Sequence, residues 1–186
     1  MREARKAWPI WVMKNYAPDI FFLDESGIKS NITTTYGWAQ KGKRCFGYAP
    51  GAWENYTMLA AIGMEKIIEG ILIDGTLDKP TFKYFMEDLL APKLPKGAIL
   101  VMDNLSVHKN SFDMKLFNKK DIEIKYLPPY SPDFNPIENM WGKAKGIIRK
   151  MNPRNFDEAW HAMNEAFWNI TPANIQGWYR HCGYFH

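Results

Sequence analysis

The sequence predicts an α/β protein: a mixed five-stranded sheet flanked by helices. Two observations predict it. Five short runs, near residues 19–24, 56–62, 67–73, 99–103 and 122–126, carry the apolar or alternating pattern of strands. Their connections also differ in kind. No helical pattern separates the first three runs, which suits an antiparallel meander. Each of the last two is reached through a helix-spaced segment, which suits parallel addition to the same sheet.

Each element follows from local chemistry. Residues 1–17 form an N-terminal arm or short helix, and its Arg5, Lys6, Trp8 and Trp11 suggest a segment that docks. Asp19–Asp24 is apolar and rich in aromatic and branched residues, as a buried strand should be. Residues 26–55 form an insertion after this strand. Its stretch 26–53 holds four basic side chains (Lys29, Lys41, Lys43, Arg44) and no acid. Within it, Tyr36–Ala39 and Cys45–Tyr48 are expected to pair as a hairpin across Lys41-Gly42. Gly63–Lys66 has the length of a tight connection between two antiparallel strands.

Lys79–Leu90 reads as a helix with Phe82, Phe85, Met86, Leu89 and Leu90 on one stripe. Lys109–Lys119 reads as a second helix. A proline-dense loop through Pro128, Pro129, Pro132 and Pro136 follows the last strand. Ile137, Met140, Trp141, Ala144, Ile147, Ile148 and Met151 then recur at helical spacing, predicting a helix over 136–151. Asn155 with Glu158 marks the start of another, over 155–170. Thr171-Pro172 opens a last short one, so residues 155–186 are C-terminal helices. The trio Trp160, Trp168 and Trp178 reads as core in these helices.

Composition narrows the function classes. A chain of 186 residues, 46% hydrophobic and 24% charged, is a single domain with enough core to fold without staples. Its two cysteines, Cys45 and Cys182, form no closely spaced pair, which excludes a disulfide scaffold and a zinc ribbon. No apolar run approaches the roughly 18 residues of a membrane span, and no secretory signal is present, so a cytoplasmic location is expected. The net charge of +4 permits a nucleic-acid partner without requiring one.

The chemical clues are acidic. Two apolar strands end in Asp24 and Asp103. A carboxylate at the end of a buried strand is costly without a partner, and two side by side repel unless a cation stands between them. The plain alternatives are a turn at Asp24 and a cap at Asp103. Asp74 also closes an apolar run, but Asp74-Gly75 is a turn dipeptide. Glu138 stands third after Asn135-Pro136, so a capping box accounts for it. Its helix lane suggests more. Glu138, Gly142, Lys145 and Arg149 share one face, a carboxylate and two cations separated by a residue without a side chain, which would suit a phosphodiester near a metal.

Three stretches carry a family resemblance: Phe21-Phe22-Leu23-Asp24-Glu25-Ser26-Gly27; Leu100-Val101-Met102-Asp103-Asn104 with His108; and Leu127-Pro128-Pro129-Tyr130-Ser131-Pro132-Asp133-Phe134-Asn135-Pro136-Ile137-Glu138-Asn139 with Trp141. Between Asp103 and Glu138 lie 34 residues. In these stretches, and in that DD34E spacing, the chain resembles the catalytic domain of DDE transposases of the IS630/Tc1/mariner superfamily, and looks closest to the IS630 branch. The resemblance implies an RNase H-like fold with a clamp-like insertion after the first strand.

It also implies Asp24, Asp103 and Glu138 as catalytic and metal-holding residues, with two Mg²⁺ (or Mn²⁺) as cofactors. The implied chemistry is cleavage of transposon-end phosphodiesters and transfer of the 3′-hydroxyl into target DNA, at a TA step. Double-stranded DNA is the implied partner, with a homodimer in the DNA complex. The family's N-terminal helix-turn-helix modules have no counterpart in this sequence, so a separately encoded or frameshift-fused subunit is a further implied partner. Lys41, Lys43, Arg44, His108, Lys145 and Arg149 are the candidate DNA contacts, with solvated charge or structure as the plain alternative. Two competing readings are a transposase-derived regulator that binds DNA without cutting, and a general RNase H-like nuclease.

Overall fold

The computed structural model describes residues 2–15, 17–34, 36–48, 51, 53–103 and 111–185. Five strands form one sheet: β1 (Ile20–Lys29), β2 (Asn55–Ile62), β3 (Ile67–Asp74), β4 (Ile99–Met102) and β5 (Glu123–Tyr126). Their order is β3-β2-β1-β4-β5. β2 runs antiparallel to both β1 and β3, whereas β4 is parallel to β1 and β5 to β4. This is the mixed sheet expected from the two kinds of connection.

β1 is central, and its first five residues are buried. Side chains alternate between the two faces of a strand. Ile20 and Phe22 accordingly enter one hydrophobic core, while Phe21 and Leu23 enter the other. β4 divides in the same way, with Ile99 and Val101 on the first side and Leu100 and Met102 on the second. The first core is covered by α1 (Arg2–Met13), α4 (Pro136–Met151), α5 (Phe156–Trp168) and α6 (Pro172–His181). The second is covered by α2 (Lys79–Tyr84), which continues into a π-helical turn at Phe85–Leu90, and by α3 (Met114–Lys119).

Four sequence expectations change. The 36–48 stretch contains a turn at Lys41-Gly42 but no strand ladder. Its arms touch, since a Cβ at Gly37 would lie 2.5 Å from Cys45 Sγ, yet Tyr36, Trp38, Phe46 and Tyr48 are all more than 80% exposed. With no apolar face packed on the core, nothing fixes a ladder there. β1 extends to Lys29, so the insertion is shorter than 26–55. α3 begins at Met114, because the Asp113 carboxylate accepts from Lys115 N–H at 2.9 Å and caps it. Finally, Trp160 and Trp168 are exposed, 87% in the case of Trp168; it is Ala159, Ala162, Met163 and Ala166 that turn inward from α5.

The N-terminal segment is a docked helix. Trp8 and Val12 are buried, and Trp8 Nε1 donates to Tyr184 Oη at 3.0 Å. No described helix is long and apolar enough to cross a membrane.

Candidate active site

Strand parity places the two aspartates. Asp24 follows Ile20 and Phe22 in alternation, so it points to the face covered by α4. Leu23 pairs with Met102 across parallel β1 and β4, so Asp24, midway along β1, stands beside Asp103, which directly follows β4. The strand end expected at Asp24 is not formed, because pairing with β2 carries β1 on to Lys29. Asp103 follows Ile99 and Val101 in the same alternation. Glu138 arrives from the first turn of α4, whose Ile137, Met140, Trp141, Ala144 and Ile148 bury its other side. All three carboxylates line one cavity of about 430 Å³, walled by Pro128–Pro132 and Asn135.

The three are graded in depth. Asp24 is 7% exposed, Asp103 is half-buried and Glu138 is exposed. Burial, then the charge of Glu138 and that of Asp103, raise the Asp24 pKa from an ordinary 3.8 to about 8; a hydrogen bond from the Glu25 N–H opposes them. Asp24 Oδ1 accepts from Glu25 N–H at 2.9 Å, and Oδ2 accepts from Asn135 Nδ2 at 3.2 Å. Among the described residues, no three His, Cys, Asp or Glu side chains already stand as a closed metal-holding group.

Asn135 occupies the N-cap position of α4 without capping it through its side chain. The capping box that would account for Glu138 is therefore not formed. Sequence reading missed the real bond because its partner lies 111 residues away. Arg5 was also missed as an organiser of the site. Its guanidinium donates to Tyr130 O (2.9 Å), Ser131 Oγ (2.8 Å) and both Asp133 carboxylate oxygens (3.0 and 2.8 Å). It also lies 5.0 Å from the centre of the Phe134 ring. Arg5 thus braces the loop that walls the cavity, in which Tyr130 holds a left-handed φ of 55°. The only hint in the sequence was a basic, aromatic N-terminus.

The candidate DNA contacts separate. Lys145 is half-buried within electrostatic reach of Asp24 and Glu138; burial first, then Arg149, lowers its pKa, against the pull of the two acids. A Cβ at Gly142 or Gly146 would meet nothing within 4 Å, so this flank of α4 is open among the described residues. Lys41, Lys43 and Arg44 stand exposed on the insertion. His108 lies outside the described residues. Two other cations of this region serve structure. Lys143 donates to Asn169 O at 2.7 Å and to Asn174 Oδ1, and Arg154 holds Ser30 O at 2.9 Å at the root of the insertion.

Residues 19–159 match the family model described as DDE superfamily endonuclease. The chain belongs to this family. A curated relative, the transposable element Tcb1 transposase of Caenorhabditis briggsae, is 25% identical over 107 residues, covering 55% of this chain and 39% of the relative. The chain therefore spans about two fifths of that relative's length. A Mos1 transposase paired-end complex with left transposon end superposes with a TM-score of 0.80 at 12% identity, over 97% of this chain and 57% of that one. The Mos1 mariner paired-end complex with Mn gives 0.74 at 14% identity, over 97% and 57%. This member of the DDE superfamily endonuclease family accordingly has the RNase H-like fold.

Proposed function

We propose that this DDE endonuclease is the catalytic core of a DNA transposase, which cuts transposon-end phosphodiesters and joins the freed 3′-hydroxyl to target DNA, at a TA step. The observation that carries this reading is the convergence of Asp24, Asp103 and Glu138, from β1, β4 and α4, on one open cavity flanked by Lys145 and Arg149.

The donor set fits divalent cations. It is all oxygen, as Mg²⁺ and Mn²⁺ prefer. Burial, and after it the charges of Glu138 and Asp103, raise the Asp24 pKa, and a bound cation would offset that cost of ionising it. Asp24 would hold two ions jointly, with Asp103 and Glu138 holding one each. Two such ions, when bound, activate the attacking oxygen and neutralise the leaving one. The chain supplies the rest. Asp24 is fixed by its two donors, the Pro128–Pro132 wall bounds the cavity, and Lys145 and Arg149 would hold the phosphodiester beside Glu138. On the insertion, Lys41, Lys43 and Arg44 stand among exposed aromatics and would grip DNA or a second copy of the chain; His108 would contact DNA beyond Asp103. Recognition of the transposon ends would fall to a helix-turn-helix module, encoded separately or fused by frameshifting.

The test uses duplex DNA carrying the element's terminal inverted repeat, with Mg²⁺ or Mn²⁺ and any recognition subunit supplied. Asp24→Asn, Asp103→Asn and Glu138→Gln should each lower nicking at least about 100-fold, since each removes a cation-holding group. Near-normal nicking by any of the three would overturn the assignment. Binding of the DNA without metal-dependent nicking by the unaltered chain would favour a regulator.

A further inference from the structure

Asn135 spends its side chain in a way a capping residue does not. An Asn at a helix N-cap ordinarily accepts from the backbone N–H two or three residues on. Here that bond is absent, and the side chain turns inward, 3% exposed, to donate from Nδ2 to Asp24 Oδ2. Its own Oδ1 is buried with no hydrogen-bond partner. A cap bond has been forgone and an acceptor left unsatisfied, both unfavourable. What the placement secures is the orientation of Asp24.

The backbone of Asn135 is anchored as well. Its N–H donates to Pro132 O at 3.0 Å, and its carbonyl accepts from Glu138 N–H at 3.2 Å. One residue therefore ties Asp24 through its side chain and Glu138 through its backbone. The carboxylate of Asp24 has about four lone-pair sites. Glu25 N–H takes one on Oδ1 and Asn135 takes one on Oδ2, which leaves each oxygen able to meet a cation.

We propose that Asn135 is a positioning residue: it fixes the Asp24 carboxylate relative to Glu138 so that both oxygens of Asp24 can bind divalent cations. This rests on the reading of the three carboxylates as cation holders.

The test titrates Mn²⁺ into the unaltered chain, Asn135→Ala, Asn135→Ser and, as a control, Asp24→Asn, following free Mn²⁺ by electron paramagnetic resonance. Metal-free thermal melts of each accompany it. Ser caps helices as well as Asn does but is too short to reach Asp24. The expected result is about ten-fold weaker Mn²⁺ binding in both Asn135 variants, in the range found for groups that orient metal ligands, with the melting temperature of Asn135→Ser unchanged. Mn²⁺ binding by Asn135→Ser equal to the unaltered chain would overturn the inference and leave the cation reading standing. Failure of Asn135→Ser to fold would assign the residue to structure and overturn it too. Absence of any Mn²⁺ binding that Asp24→Asn removes would overturn the cation reading and the inference with it.

Discussion

Replacing Asp24 by Asn removes a buried charge while keeping the shape of the side chain. Its consequence for stability depends on pH, and the sign follows from the direction of the pKa change. In the unfolded chain this carboxyl releases its proton near 3.8; in the folded protein it does so near 8. Between these values the folded state holds the extra proton, so stability falls as pH rises, and above pH 8 the loss is complete. A displacement of this size corresponds to about 6 kcal/mol at most. Asn recovers only part of it. Its single acceptor oxygen cannot serve both the Glu25 N–H and Asn135 Nδ2, and one unsatisfied donor costs about 1–3 kcal/mol. The net gain at pH 8.5 is then about 3–5 kcal/mol, or roughly 10–15 °C in melting temperature for a chain of this length. At pH 5 most of the penalty has not yet developed, and the two proteins should melt within about 2 °C of each other. The assay is thermal unfolding in EDTA at both pH values. Mn²⁺ added at pH 8.5 should raise the unaltered protein and leave Asp24→Asn in place. An equal difference at both pH values, or a lower melting temperature for Asp24→Asn at pH 8.5, would refute the reasoning.

Two further outcomes follow from the geometry. Gly70→Ala would drive a methyl group into the Phe167 ring between β3 and α5, with Ala60 Cβ 3.4 Å away on the other side; unfolding in urea should show a loss of about 1–3 kcal/mol, and an unchanged midpoint would mean that α5 yields there. Lys145→Ala and Arg149→Ala should each weaken duplex DNA binding and reduce the slope of log affinity against log salt by about one, measured by fluorescence anisotropy; an unchanged slope would place the phosphates elsewhere.

Much of this architecture was legible in the sequence because it is local. The strand runs, the short link at Gly63–Lys66 and the helix at Pro136–Met151 are written in side-chain period and end signals, which act over a few residues. The position of Asp103 at the end of β4 was legible for the same reason, whereas Asp24, expected at a strand end, lies midway along β1, because long-range pairing with β2 extends that strand to Lys29. The expected hairpin in the insertion was not formed, because residues with strand propensity make no ladder without a surface to pack against. Trp160 and Trp168 were misread as core because α5 needed only its small residues to fit closely against α4 and β3.

By itself the sequence determined the five strands and the main helices, their order along the chain, the mixed character of the sheet and three acids at the spacing of a known family; the order of the strands in the sheet came with the tertiary structure. Only the tertiary structure decided how those acids are held. Asn135 reads as a helix cap until β1 is placed beside α4, and Arg5 belongs to a docking segment with no identified partner until α1 is laid along the Pro128–Pro132 wall. Both bonds join residues more than 100 positions apart. Such pairings leave no periodic trace in the chain, because they depend on the packing of whole elements and not on the propensity of any one of them.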